Sequence, residues 1–380
     1  MKTIKLLLTT IAVLLCSVMA NAYDFEVDGI CYDITSFTDL TVKASSLSET
    51  FVGDLVIPSK VQFSGKELTV TEVGDDFAVS NDSILSLTIN EGVDSIGDRA
   101  FKNCTNIVTI NIAKTVTKIG AECFYACTAL DAFNNNGVIS IGSKSFAECE
   151  NLKEVSIENL VSLGEGTFLN CKKLSVCYIP NITSIAKAAF QNCQALEEYN
   201  IPSSVKSIGE SAFEGCSAIS SIVIPNNVLE LGHGAFNYCT SLTSISIGSG
   251  LTYLPWVFAG CTNLSNIRIE DATTTLTFGY TGGGEETWGG SGNKGISVDY
   301  TSYPAMFVGF NLKNVYLGRN ITTEKFRYFS REYSSYVKHA YYIPNPPFSG
   351  SSIKSLIIGS LVSNYQMSAS TTGADYRYGT

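Results

Sequence analysis

Nine phenylalanines, at positions 77, 101, 124, 146, 168, 190, 213, 236 and 258, follow one another at intervals of 22 to 24 residues. Three residues after eight of them stands a cysteine: 104, 127, 149, 171, 193, 216, 239 and 261. A register held over so many periods belongs to a chain that repeats one supersecondary unit and stacks the copies. The unit reads I-G-x-x-x-F-x-x-C-x-x-L-x-x-I-x-I, as in IGSKSFAECENLKEVSI from Ile141 and IGESAFEGCSAISSIVI from Ile208. A single unit cannot bury its own apolar edge, so its stability has to come from its neighbours, and the product is elongated.

Within the unit, segments such as NLKEVSI and SLTSISI alternate apolar and polar residues, which puts Val155 and Ile157 on one face and Glu154 and Ser156 on the other. This is a short strand, closed in three units by Pro180, Pro202 and Pro225, where no ladder donor is needed. A second extended piece such as VKSIG runs back. Glycines 97, 120, 142, 164, 209 and 232 permit the corner, and the A-F-x-x-C piece is expected as a short helical turn with Phe and Cys on one side. The fold expected is therefore a repeat solenoid, mainly β with short helical turns and one strand per rung on the sheet face. Nine rungs at the ~4.8 Å strand spacing make an array roughly 40 Å long.

The L-x-x-I-x-I-P-x-x-V-x-x-I-G-x-x-A-F-x-x-C unit resembles the leucine-rich repeat of BspA-like bacterial surface proteins, the treponemal type. The segments YDFEVDGICYDI and GDLVIPSKVQFSGKELTVTEVG resemble the usual start of such proteins in Bacteroidetes. The resemblance covers nearly all of 23–270 and implies a right-handed leucine-rich-repeat solenoid that adheres to extracellular proteins and other cells. Asn135 departs from it in place of the second strand isoleucine, and Phe77 is followed by Ser80 where a cysteine is usual.

Residues 1–22 read as a signal peptide: Lys2 and Lys5 precede an apolar run to Met19, and Ala20-Asn21-Ala22 offers cleavage after Ala22. Leu15 is too bulky for a lipobox at Cys16, and the apolar run is shorter than the ~20 residues of a membrane span. Residues 23–75 form an N-terminal β cap, 76–270 the regular repeats, and 271–380 elongated irregular repeats with a Gly-rich insertion. In that last part NLKNVYLGRNI from Asn311 and SIKSLIIGSLV from Ser352 restore the strand signature. Loss of Lys2 and Lys5 takes the net charge from −10 to −12, which opposes binding to nucleic acid or anionic membranes. The mature chain is expected to be secreted, extracellular or displayed at the cell surface, without membrane insertion.

Catalytic chemistry finds little to work with. The two histidines, His233 and His339, are far apart in sequence, and neither a metal site nor a nucleophile–base pair suggests itself. GSGNKG, residues 290–295, fits a dinucleotide fingerprint formally but lacks its strand-to-helix setting. An enzyme would need Glu285, Glu286 and Trp288 of the insertion to build a cleft, and an exposed loop does little to separate the pKa values of two carboxylates. No cofactor is expected. Twelve cysteines in an exported chain invite disulfides. Equivalent cysteines in a stack point in parallel, however, so a ladder of buried free thiols is favoured over cross-linked rungs. Cys177, at an inward strand position, belongs to the core.

What remains are surfaces. The central outward column of the sheet face runs Thr88, Asn111, Asn134, Ser156, Tyr178, Asn200, Val223, Ser246 and Arg268, flanked by Glu154, Glu197 and Glu198. It is either a solvated face or a broad, shallow binding surface. Tyr178 is the strongest candidate residue, with Glu154, Ser156, Glu198, Asn200, Val223, Ser246 and Arg268 around it. The function expected is binding of extracellular host or microbial proteins or glycans. The alternative is a structural spacer or surface-assembly module with no ligand of its own.

Overall fold

The computed structural model describes residues 23–48, 51–279, 306–307, 309–323, 326–331, 337–342, 347–348 and 351–362. The signal segment 1–22, the 290–295 motif and Glu285, Glu286 and Trp288 lie outside the described residues, as does the side chain of His339.

Each turn of the chain contributes to two parallel ladders. The sheet face begins with Gly53–Ile57, Ile84–Ile89 and Thr109–Ile112, continues with Ala132–Asn134, Glu154–Ser156 and Val176–Tyr178, and resumes at Ser221–Ile224. Ser244–Ile247, Asn266–Ile269, Asn311–Leu317 and Ser352–Ile358 then extend it in register. The second ladder is built from the short S-I-G segments, from Lys66–Val73 and Ser95–Ile96 onward to Ile321–Thr323. Within residues 23–75, antiparallel strands at 25–27, 30–36 and 60–63 close the start of the stack, while 53–57 begins the sheet face and 41–47, parallel to 66–73, begins the second ladder.

Between the ladders runs a spine of buried rings. Consecutive phenylalanines from Phe101 to Phe236 stack with centroids 5.2 to 5.8 Å apart, and the eight register cysteines are buried beside them. All eleven described cysteines are free thiols.

The F-x-x-C segments differ from the helical turns expected, since no helix occurs among the described residues. Each is a single turn in which the Cys N–H donates to the Phe carbonyl, as Cys193 does to Phe190 at 3.1 Å. The residue before the cysteine takes the left-handed conformation, with φ of 60° at Asn103, 55° at Ala126 and 63° at Glu148. A right-handed helix cannot pass through such residues. In exchange, alternate N–H groups of the turn donate to the next rung, as Phe168 does to Ala189 and Asn170 to Gln191, so the turns form a third ladder of hydrogen bonds.

The corner glycines serve close approach. A Cβ at Gly209 would lie 2.4 Å from the Lys187 nitrogen, and one at Gly232 2.2 Å from that of Glu210. Where the repeat places Ala186 or Pro255 at this position, the second ladder breaks: Ser162–Leu163 does not pair with Ser184–Ile185, nor Glu230–Leu231 with Tyr253–Leu254. The sheet face breaks for another reason. Its inward residue is aliphatic or Cys177 at most rungs but Phe133 and Tyr199 at two, and the ladder is interrupted at both. Each ring wedges against the spine, Phe133 against Phe124 and Phe146, Tyr199 against Phe190 and Phe213. The larger side chain holds its strand too far out to pair on both sides. Asn135, the polar departure from the repeat, is satisfied: its amide donates to Ile112 O at 2.7 Å, and its oxygen accepts from the N–H groups of Gly137 and Val138.

Candidate binding face

Period-2 alternation on the sheet face sends Leu, Ile and Val inward and leaves the intervening side chains to solvent. Ladder register then aligns those side chains in columns. Glu154 stands opposite Val176 and Ser156 opposite Tyr178. Farther along, Val223 stands opposite Ser246, Ser246 opposite Arg268, and Arg268 opposite Tyr316. The proposed column is therefore physically continuous from Asn134 to Tyr178 and from Val223 to Arg268, and Asn200 is exposed together with Glu198 on the unpaired rung between Tyr178 and Val223.

Apolar side chains stand out of this face along its length: Val56 opposite Thr88, then Val176, Tyr178 and Val223, then Ile357 opposite Tyr316. Val176 is 52% exposed, Tyr178 53% and Val223 63%. Tyr178 and Val223 were legible from the column. Val176 was missed, although it lies two residues before Tyr178 on the same strand and so faces the same way.

Toward the far end the face carries a preorganised polar cluster. Arg268 donates from Nε to Glu270 at 2.8 Å and lays its guanidinium over the Tyr316 ring, 4.2 Å from the centroid. Ser246 donates to the same Glu270 carboxylate at 2.8 Å, and the Tyr316 hydroxyl donates to Asp271 at 2.7 Å. Partial burial opposes ionisation of Glu270, but the hydrogen bonds from Arg268 and Ser246 outweigh it and hold the carboxyl below its ordinary range. Glu270, Asp271 and Tyr316 were not anticipated. Tyr316 stands opposite Arg268 on paired strands, a partnership that the regular repeat spacing does not reveal.

Chemistry beyond contact is sparse on this face. Among the described residues no group of three His, Cys, Asp or Glu side chains is placed to hold a metal ion, and no helix is long and apolar enough to cross a membrane. His233 follows Gly232 at a corner of the second ladder, away from the sheet face. The buried thiols of the Phe–Cys register are held protonated, Cys104 and Cys261 being pushed up to about 12 by desolvation, so they offer no thiolate nucleophile at neutral pH. What the face offers is an exposed aromatic at Tyr178, exposed aliphatic side chains, hydroxyl and amide groups and a fixed guanidinium–carboxylate pair.

A search of curated proteins finds no match. Among solved structures, the chain is similar to a leucine-rich repeat protein from Bacteroides ovatus ATCC 8483, at 25% identity over 79% of this chain and 88% of that one, with a TM-score of 0.48. It is also similar to a leucine rich cell surface protein from Faecalibacterium prausnitzii A2-165, at 21% identity over 65% of this chain and 95% of that one, with a TM-score of 0.42. The profile of the BspA type leucine rich repeat region matches in 6 copies, over residues 72–197 and 162–279. Those residues make up more than half of the sequence, and they hold the Phe–Cys register and most of both ladders. The chain belongs to the BspA-type leucine-rich repeat family.

Proposed function

We propose that this protein is an exported binding module that docks an extracellular protein or glycan on its sheet face. Val176, Tyr178 and Val223 form the apolar centre of the site, and Glu154, Ser156, Glu198, Asn200, Ser246 and Arg268 form its polar surround. The observation that carries this reading is the exposure of an aromatic ring and two valines within the span of the face from Val176 to Val223. An aromatic ring in that position buries large area at low entropic cost when a partner covers it. The signal-like start of the chain and its membership of the repeat family support an extracellular partner. The negative charge directs it toward proteins and neutral or basic glycans rather than nucleic acid.

The test is an array of extracellular matrix proteins and glycans probed with the mature protein and with a Val176→Ser, Tyr178→Ala, Val223→Ser variant of unchanged melting temperature. Partners of the wild type should bind the variant at least about 10-fold more weakly, the effect of losing one aromatic anchor. Equal binding by both proteins would move the site elsewhere. Binding by neither would leave the spacer reading.

A further inference from the structure

We infer that the rung carrying Tyr199 is a hinge, at which the solenoid bends between two rigid blocks. Breaks in the second ladder follow Ala186 and Pro255, and breaks in the sheet face follow Phe133 and Tyr199. At Phe133 the second ladder runs on unbroken through Lys118–Ile119, and at Pro255 the sheet face runs on through Ser244–Ile247 and Asn266–Ile269. Ala186 and Tyr199 fall on the same rung. It is the one rung among the described residues at which both ladders are interrupted.

Backbone hydrogen bonds confirm the gap. Residues 198–201 make none to the rung on either side, and the single bond from this stretch joins Ser220 N to Glu197 O at 3.4 Å. The Tyr199 hydroxyl is buried with no hydrogen-bond partner. A packed interface seldom tolerates such a group, and opening the gap would let water reach it.

The rung remains joined to its neighbour along the spine and at one far corner. Gly166, Phe168 and Asn170 donate to Lys187, Ala189 and Gln191, the Phe168 and Phe190 rings stack at 5.5 Å, and Ala195 donates to Lys172 at 3.1 Å. Opposite the spine, Lys206 donates to Thr183 at 2.9 Å. Covalent continuity and the spine fix the axis, while the missing ladders leave the sheet face free to open between Tyr178 and Val223. The inference does not depend on what the sheet face binds.

Residue-resolved hydrogen exchange on the intact protein separates a hinge from a rigid gap, because the informative amides are hydrogen-bonded ones. Lys206 N–H is bonded to Thr183 O at 2.9 Å, and its counterpart one rung on, Leu229 N–H, is bonded to Lys206 O at 2.8 Å. Ala195 and Ser241 form a second matched pair, both at 3.1 Å. A hinge predicts that Lys206 and Ala195 exchange about 10-fold or more faster than Leu229 and Ser241, through sub-global opening at this rung. Tyr199→Ile, the residue found at 222, 245 and 267, should slow both amides toward their counterparts. Matched rates in the wild-type protein would overturn the hinge, and so would rates unmoved in a folded Tyr199→Ile variant. If that variant fails to fold, the wild-type comparison decides alone.

Discussion

The Cys193 thiol donates a hydrogen bond to the carbonyl of Phe168, 25 residues earlier, at 3.2 Å. The same carbonyl already accepts the Cys171 N–H of its own turn at 3.1 Å. The relationship recurs along the stack, from Cys127 onto Phe101 to Cys261 onto Phe236, so each thiol ties its turn to the preceding one. Cysteine suits this place because it packs as a small apolar group and still carries a weak donor.

Replacing Cys193 by Ala should therefore cost modestly. Phe168 O keeps its backbone partner, so the loss is one sulfur's packing and one weak bond, about 1 to 2 kcal/mol. Equilibrium denaturation of wild type and variant measures it, and a cost near zero would remove the thiol from the spine's stability.

The thiols also set the alkaline limit. Burial raises them above the ordinary value of 9.0, to about 12 at Cys104 and Cys261 and further at others, whereas the unfolded chain releases its thiol protons near 9. The folded state holds protons that the unfolded state has lost, so the stability is intact below pH 9 and falls as pH rises from there toward 12 and beyond. Each fully buried thiol contributes a slope of about 1.4 kcal/mol per pH unit. Circular dichroism against pH should show reversible unfolding that begins just above pH 9, and Cys193→Ala should make the slope shallower by one thiol.

Gly209 and Ala186 should respond unequally. A Cβ at Gly209 meets the Lys187 nitrogen at 2.4 Å, so Gly209→Ala should break the ladder there and cost about 1 to 3 kcal/mol, despite the usual entropic gain of alanine over glycine. Ala186→Gly gives up that entropic gain but removes the Cβ at the interrupted step, so it should cost less than Gly209→Ala. Thermal melts of the two variants check the order.

Much of this architecture was legible because its two periods are simple. The Phe–Cys interval reports the rung, and period 2 within NLKEVSI reports which side chains face out, which placed Tyr178, Val223 and Arg268 in one column. The conformation of the F-x-x-C turn was not legible: Asn103, Ala126, Glu148 and Tyr238 share a left-handed φ without sharing a residue type, because the stack imposes it. The corner glycines were expected to permit the corner, whereas the constraint is the neighbouring rung's backbone, which a single unit does not show. The Arg268–Tyr316 contact spans an insertion, with Asn266 and Asn314 of the same two strands 48 residues apart, and only the paired strands bring it together.

A spine of stacked rings and reduced thiols holds the rungs together, and counting thiols tests this most directly. Purified protein is treated with an alkylating reagent at neutral pH, folded and then unfolded, with no reductant at any stage. The prediction is that Cys104, Cys127, Cys149, Cys171, Cys193, Cys216, Cys239 and Cys261 resist the reagent while folded and are all modified once unfolded. Thiols that stay blocked in the unfolded chain and appear only after reductant would show neighbouring rungs to be cross-linked, and would contradict the free-thiol spine.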